Sequence, residues 1–207
     1  MLINFKTIVQ KYYQPKNVIH IGAHYAEEIK DYYDNGVEST FWVEGNPELM
    51  EIIKANISNY PNASCINACL SDTKKWVEFN VSNNEGQSSS ILQLEYHKIA
   101  HAEVNYTHTI GLNTETLNEL FQRENISLTK YDFMNADIQG AELLMLHGAT
   151  DILPNLKCLY LEVNEKELYK ECGLVGDIDE FLKKYNFSRG ETEWCGNFGW
   201  GDAIYIK

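Results

Sequence analysis

Segments with apolar residues at helical spacing alternate along the chain with short runs of Ile, Val, Leu and aromatic residues, which predicts a mostly parallel sheet with helices on both faces. Phe5, Ile8, Val9, Tyr12 and Tyr13 form a first helical stripe that stops at Pro15. Asn17 to Ile21 reads as the first strand, and the chain breaks at Gly22 into a helix through Ile29, Tyr32 and Tyr33. Thr40 to Val43 is the second expected strand. Asn46-Pro47-Glu48 then supplies an N-cap, a first-turn proline and a first-turn acid for a helix carrying Leu49, Ile52 and Ile53. Ser64 to Leu70 and Trp76 to Val81 read as strands, whereas residues 82 to 113 are polar, Ser-rich and His-rich, and predict an irregular lid or insertion. Regular structure resumes with a helix from Thr114, a strand from Tyr131 to Ala136 and a helix through Leu143, Leu144 and Leu146 that ends at Gly148. Cys158 to Val163 is a further strand, Asp177-x-x-Glu180 opens a last helix, and Asp202 to Lys207 closes the sheet as an antiparallel carboxyl-terminal strand.

No internal repeat or linker interrupts this pattern, so residues 1–207 are expected to form one domain. A chain of this length buries roughly 70% of its unfolded surface and needs no disulfide to hold a core. Thirty acids against 17 lysines and arginines give a net charge of −13, which disfavours a nucleic-acid or anionic-membrane partner, since both depend on clustered cations. The five cysteines are odd in number and form no C-x-x-C pair, and Met1 to Gln10 lacks a basic segment followed by an apolar run. A cytoplasmic protein with reduced thiols is the expectation.

In a sheet of this kind ligands sit beyond the carboxyl ends of the strands, so each strand-to-helix turn is a candidate site. After the first strand, Gly22 and Ala23 let the backbone pass close to a ligand, with His24 next in line. No G-x-G-x-x-G is present, so a nucleoside-like cofactor is favoured over a dinucleotide whose pyrophosphate needs cradling. At the tip of the second strand Glu44, about 20 residues beyond that turn, is placed to grip a ribose diol, followed by Gly45 and Asn46. Ser71 and Asp72, beyond the third strand, offer a hydroxyl and a carboxylate to an adenine amine. The fourth turn, Asp137-Ile138-Gln139-Gly140-Ala141-Glu142, combines a strand-tip acid, a releasing glycine and an acid in the first turn of a helix.

These blocks together resemble the FkbM-type methyltransferases, which use S-adenosylmethionine. The resemblance rests on Ile21-Gly22-Ala23, Glu44-Gly45-Asn46-Pro47, Leu70-Ser71-Asp72 and Asp137 to Glu142 followed by Leu143 and His147-Gly148-Ala149, and it extends through Leu161-Glu162-Val163-Asn164 to Trp200-Gly201-Asp202-Ala203. Two positions depart from it: His24 stands where Asn is usual, and Asn135 where Lys is frequent. The resemblance implies a Rossmann-like class I methyltransferase fold, with the adenosine half of the cofactor along Gly22, Ala23, His24, Glu44, Gly45, Asn46, Ser71 and Asp72.

Methyl transfer to a hydroxyl requires a nucleophile aligned about 3 Å from the methyl carbon and a base for its proton. Asp137 is the expected base, with a second expected role toward the cofactor, and Glu162 at the next strand tip is the second candidate. Ser89, His108, Gln139, Asn164, Trp200 and Asp202 are the expected acceptor-binding residues. His97 and His101 lie four apart but lack the H-E-x-x-H context, so no metal site is expected. The expected activity is O-methyl transfer to a small-molecule or glycan hydroxyl, with a sugar favoured. An exocyclic-amine N-methyltransferase would show Asp/Asn-Pro-Pro-Tyr/Phe after the fourth strand, which is absent. A nicotinamide-dependent dehydrogenase and a non-catalytic cofactor-binding module of the same fold remain as alternatives.

Overall fold

The computed structural model describes residues 1–207 and alternates strands and helices in the order α1 (Phe5–Lys11), β1 (Asn17–Ile21), α2 (Ile29–Asp34), β2 (Ser39–Glu44), α3 (Met50–Ile57), β3 (Ala63–Asn67), β4 (Cys69–Leu70), β5 (Trp76–Ser82), α4 (His97–Ala100), β6 (Tyr106–Glu115), α5 (Leu117–Arg123), β7 (Phe133–Ala136), α6 (Glu142–His147), β8 (Cys158–Asn164), α7 (Val175–Lys183), β9 (Ser188–Trp194) and β10 (Trp200–Ile206). Seven strands form the main sheet in the order β3-β2-β1-β7-β8-β10-β9. The first five run parallel, and β10 inserts antiparallel between β8 and β9. A smaller sheet, β4-β6-β5, stands beside it.

Alternate residues of each central strand point to opposite faces, and each face meets helices. Ile19, Phe41, Met134, Leu159, Leu161 and Tyr205 pack against α5, α6 and α7 through Leu120, Phe121, Leu146, Phe181 and Leu182. Val18, Trp42, Phe133, Tyr160 and Ile204 pack on the other face against α1, α2 and α3 through Phe5, Ile8, Tyr32 and Ile53. Because both faces of β8 are covered, all seven of its residues are buried. Leu161→Ala, which empties a fully buried position in the larger of these clusters, is expected to cost about 2 to 5 kcal/mol in denaturant unfolding.

Several expected elements are corrected. The helix after β1 starts at Ile29, not at Gly22; the intervening turn holds His24 and Ala26 at positive φ, so no helix N-terminus faces the first strand tip. The third strand splits: Ala63–Asn67 joins the main sheet, and Cys69–Leu70 pairs with β6. The stretch 82–113 contains most of β6, which runs antiparallel to β5. Its outward residues are exposed, so burial imposes no apolar alternation for the sequence to display. β6 continues through Glu115, and α5 begins only at Leu117, with a capping box formed by Thr116 and Glu119. The last helix opens one turn position early, at Val175, with Asp177 accepting from the Leu174 N–H at 3.0 Å.

Candidate active site

Strand register builds the site. Trp42, His20, Asn135, Tyr160 and Ile204 stand side by side across β2, β1, β7, β8 and β10. One pleat repeat nearer the carboxyl edge, on the same face, come Glu44, Gly22, Asp137, Glu162 and Asp202, four acids and a glycine in one row. A cleft runs along this row in two parts.

The first part is walled by Val43, Leu49, Leu70, Phe79 and Ile91, with Glu44, Gly45 and Asp137 at its polar side. Glu44 is buried, and its two oxygens accept the backbone N–H groups of His24 (2.9 Å) and Asn46 (2.7 Å). Desolvation raises its carboxyl above the usual range, although these amides oppose that shift. The ring of His24 reaches Glu27 at 2.8 Å and the Glu85 carbonyl at 3.0 Å, tying the insertion to the first turn. Gly22 has φ +85°, and a Cβ there would lie 1.8 Å from the Asp137 carbonyl oxygen, so only glycine allows the two strand tips to close together.

The second, wider part contains Ala23, Asp137, Gln139, Glu162, Asp202, His97, His101 and Trp200 in its walls. Asp137 is exposed to it, and desolvation by the surrounding protein raises its carboxyl. Carboxylate oxygens of Asp137, Glu142 and Glu162 lie within 4.8 Å of one another. Gln139, at φ +56°, places its amide nitrogen between two of them, donating to Asp137 at 2.7 Å and to Glu162 at 2.9 Å. Its own carbonyl accepts from the Tyr169 hydroxyl, and its backbone carbonyl accepts from Ser90 Oγ at 2.8 Å. Asp202 accepts from the Tyr160 hydroxyl and from the Leu2 N–H at 2.6 Å. Below the acid row, Asn135 donates to the Tyr32 hydroxyl at 2.8 Å, which sends the tyrosine proton to His20 Nδ1 at 2.9 Å. Burial pulls His20 down to about 3, so it is neutral and adds no positive charge.

Burial and the Asp137 charge push Glu142 up to about 8, and burial with Asp137 and Glu142 holds Glu162 well above the carboxylate range. The cluster therefore retains protons at neutral pH. A raised carboxyl binds more protons folded than unfolded, so its contribution to stability is complete below about 4.5 and is lost as pH climbs to about 8. Glu142 accepts from the Ile138 N–H at 2.7 Å, which a glutamine carbonyl also can do. Glu142→Gln is thus expected to flatten the decline of melting temperature between pH 5 and 9, by roughly 2 kcal/mol at the upper end.

Not all expected residues share the cleft. Gly22, Ala23, His24, Glu44, Gly45, Asp137, Ser89, Gln139, Glu162, Trp200 and Asp202 do. Asn46 caps the turn before α3 by accepting from the Glu48 N–H, and Ser71 bonds Asp72, which pairs with Lys75 at 3.0 Å; none of the three lines the cleft, whose wall on the β4 side is Ala68, Cys69 and Leu70. His108 faces solvent beside Glu48 at 3.4 Å. Asn164 is fully buried at the end of β8, and neither end of its amide has a partner. Sequence reasoning passed over Phe79, Cys69, Tyr160 and His20, which line the cleft from inside strands; the alternation Tyr160-x-Glu162 was the available signal.

The main-sheet order β3-β2-β1-β7-β8-β10-β9, with β10 reversed between β8 and β9, is the Rossmann-like arrangement of the class I S-adenosylmethionine-dependent methyltransferases. The same architecture is found in magnesium protoporphyrin IX methyltransferase (ChlM) from Synechocystis PCC 6803 with bound cofactor, at TM-score 0.54 and 10% identity over 98% of this chain and 75% of that one. Fibrillarin from Aeropyrum pernix gives TM-score 0.52 and 11% identity over 92% of this chain and 66% of that one. The methyltransferase FkbM domain matches residues 19–189, and the chain belongs to that family. The 2-O-methyltransferase NoeI of Sinorhizobium fredii is 24% identical over 136 residues, 63% of this chain; the match spans just over half of that relative, 55%. No helix of the structure is long and apolar enough to cross a membrane.

Proposed function

We propose that residues 1–207 act as one methyltransferase domain that methylates a hydroxyl of a small molecule or glycan, a sugar being the favoured acceptor, in a cytoplasmic setting. The observation that carries this reading is the Asp137–Glu162 pair, bridged by Gln139 at the tips of the two central strands. The apolar walls with Glu44 at one side suit an adenosine, and the cleft walls hold no lysine or arginine for a pyrophosphate. With α2 starting seven residues beyond Gly22, no helix end offers its amides there, which disfavours the nicotinamide alternative.

When bound, S-adenosylmethionine supplies an electrophilic methyl carbon and departs as S-adenosylhomocysteine. Gly22, Ala23 and the His24 amide would lie along it, and Glu44 would accept from the ribose. Asp137, its carboxyl raised by desolvation, would accept the acceptor's hydroxyl proton as the methyl group is transferred. Gln139 holds the carboxylate in place, and the insertion closes the cleft from above through Ser90 and Glu85.

Labelled-methyl transfer to a panel of sugars and glycans tests the reading; tight NAD binding with none for S-adenosylhomocysteine would overturn it, and cofactor binding without any transfer would favour the non-catalytic module. Glu44→Ala is expected to weaken S-adenosylhomocysteine binding by roughly 1 to 3 kcal/mol in calorimetry.

A further inference from the structure

We propose that the part of the cleft beyond Asp137, between Glu162, Asp202 and Trp200 on the sheet and His97 and His101 on the insertion, is an acceptor subsite for an amine-bearing sugar. The proposal rests on the methyl-transfer reading above and adds the charge class of the acceptor.

Six carboxylates contribute to this wider part of the cleft, Glu27, Glu28, Glu103, Asp137, Glu162 and Asp202, and no lysine or arginine does. A phosphorylated, nucleotide-linked or uronic-acid acceptor would place an anion among them with only the Met1 ammonium, 3.9 Å from Glu28, as a counter-charge. Glu27 is engaged by His24, Glu28 lies 3.9 Å from the Met1 ammonium, Glu103 lies 4.0 Å from His101, and Asp137 faces the expected sulfonium, which leaves Glu162 and Asp202, opposite one another in the β8–β10 register, for a second cation. Burial raises both carboxyls, so an ammonium group at this point would let them ionise. The Gln139 amide hydrogens point at one oxygen each of Asp137 and Glu162, so a cation bound here contacts the carboxylate oxygens they leave free.

The opposite wall supplies an independent observation. His97 is 4% exposed, its Nδ1 has no hydrogen-bond partner, and it lines this cleft. Burial next to His101 pulls it down to about 4, so it is a neutral ring able to bond a sugar hydroxyl. Trp200 Nε1 donates to His101 Nε2 at 3.1 Å, which fixes the His101 proton on Nδ1 and locks the Trp200 ring as a half-buried platform. Aromatic face, neutral imidazole and carboxylate pair together suit one face, one hydroxyl and one ammonium of a small sugar.

The test is calorimetric titration of the S-adenosylhomocysteine complex near pH 7 with three matched probes: a hexosamine methyl glycoside, its N-acetyl form and a hexose 6-phosphate. The free amine is expected to bind about tenfold or more tighter than the N-acetyl form, with no detectable phosphate binding. Asp202→Asn should shrink that preference to about threefold or less at unchanged S-adenosylhomocysteine affinity, with melting curves checking its fold. Equal or better binding of the N-acetyl or phosphate probe overturns the proposal, as does a preference that vanishes in EDTA. Absence of hexosamine binding to protein that holds S-adenosylhomocysteine normally also overturns it and leaves the methyltransferase reading standing. Failure to bind S-adenosylhomocysteine brings down both.

Discussion

Asp137→Asn is expected to slow methyl transfer by a factor of about 10² to 10⁴ while leaving S-adenosylhomocysteine affinity within about threefold. The substitution keeps the volume and one carbonyl oxygen, so the Gln139 amide at 2.7 Å retains its acceptor and the backbone at the tip of β7 is undisturbed. What is lost is the only charge at the point where the β1 and β7 tips meet, and with it the acceptor for the hydroxyl proton. Glu162→Gln should cost less, because Glu162 is held protonated by burial and by its two acidic neighbours and so is a poor proton acceptor at neutral pH. Single-turnover rates with a labelled methyl group separate chemistry from binding. Turnover by the Asn variant at the native rate would remove Asp137 from the role of base; a collapse of cofactor affinity instead would assign it to holding the cofactor.

The sheet was legible because its central strands are covered on both faces: Val18 to Ile21 and Cys158 to Val163 are apolar apart from His20 and Glu162, the pattern that double burial imposes. β9, Ser-Arg-Gly-Glu-Thr-Glu-Trp, was not legible, since an edge strand with few buried residues carries no such signal. At the site, Glu44, Asp137 and Glu162 could be named from their positions at strand ends. Ser71 and Asp72 follow Cys69 and Leu70, which line the cleft, and the course of the chain there depends on pairing between Cys69–Leu70 and a strand more than forty residues later, a long-range contact with no local trace. The same holds for Gln139. Its sequence context suggested an acceptor ligand, whereas its bridging of two carboxylates depends on Tyr169 and on a left-handed backbone that only the folded turn reveals.

Gly22→Ala should show the second large effect. A Cβ at this position would sit 1.8 Å from the Asp137 carbonyl oxygen and 2.8 Å from its carbon, and the residue has φ +85°, where an L side chain is strained whatever the space. Neither partner can move freely: the Gly22 N–H donates to the Val43 carbonyl at 2.9 Å and the Asp137 N–H to the Ile21 carbonyl at 3.0 Å, so relief of the clash must break a hydrogen bond that zips adjacent strand tips together. The expected cost is about 3 kcal/mol or more, seen as a fall in melting temperature of roughly 6 to 12 °C for a chain of this size, together with loss of S-adenosylhomocysteine binding. Gly176→Ala is the matched control. Its Cβ would meet nothing within 4 Å inside α7, so the helix should gain roughly 0.5 to 1 kcal/mol and the site should be untouched. If the Gly22 variant melts with the native protein and binds the cofactor product, the close approach of the two strand tips is not what forms the site, and the carboxylate row alone must account for it.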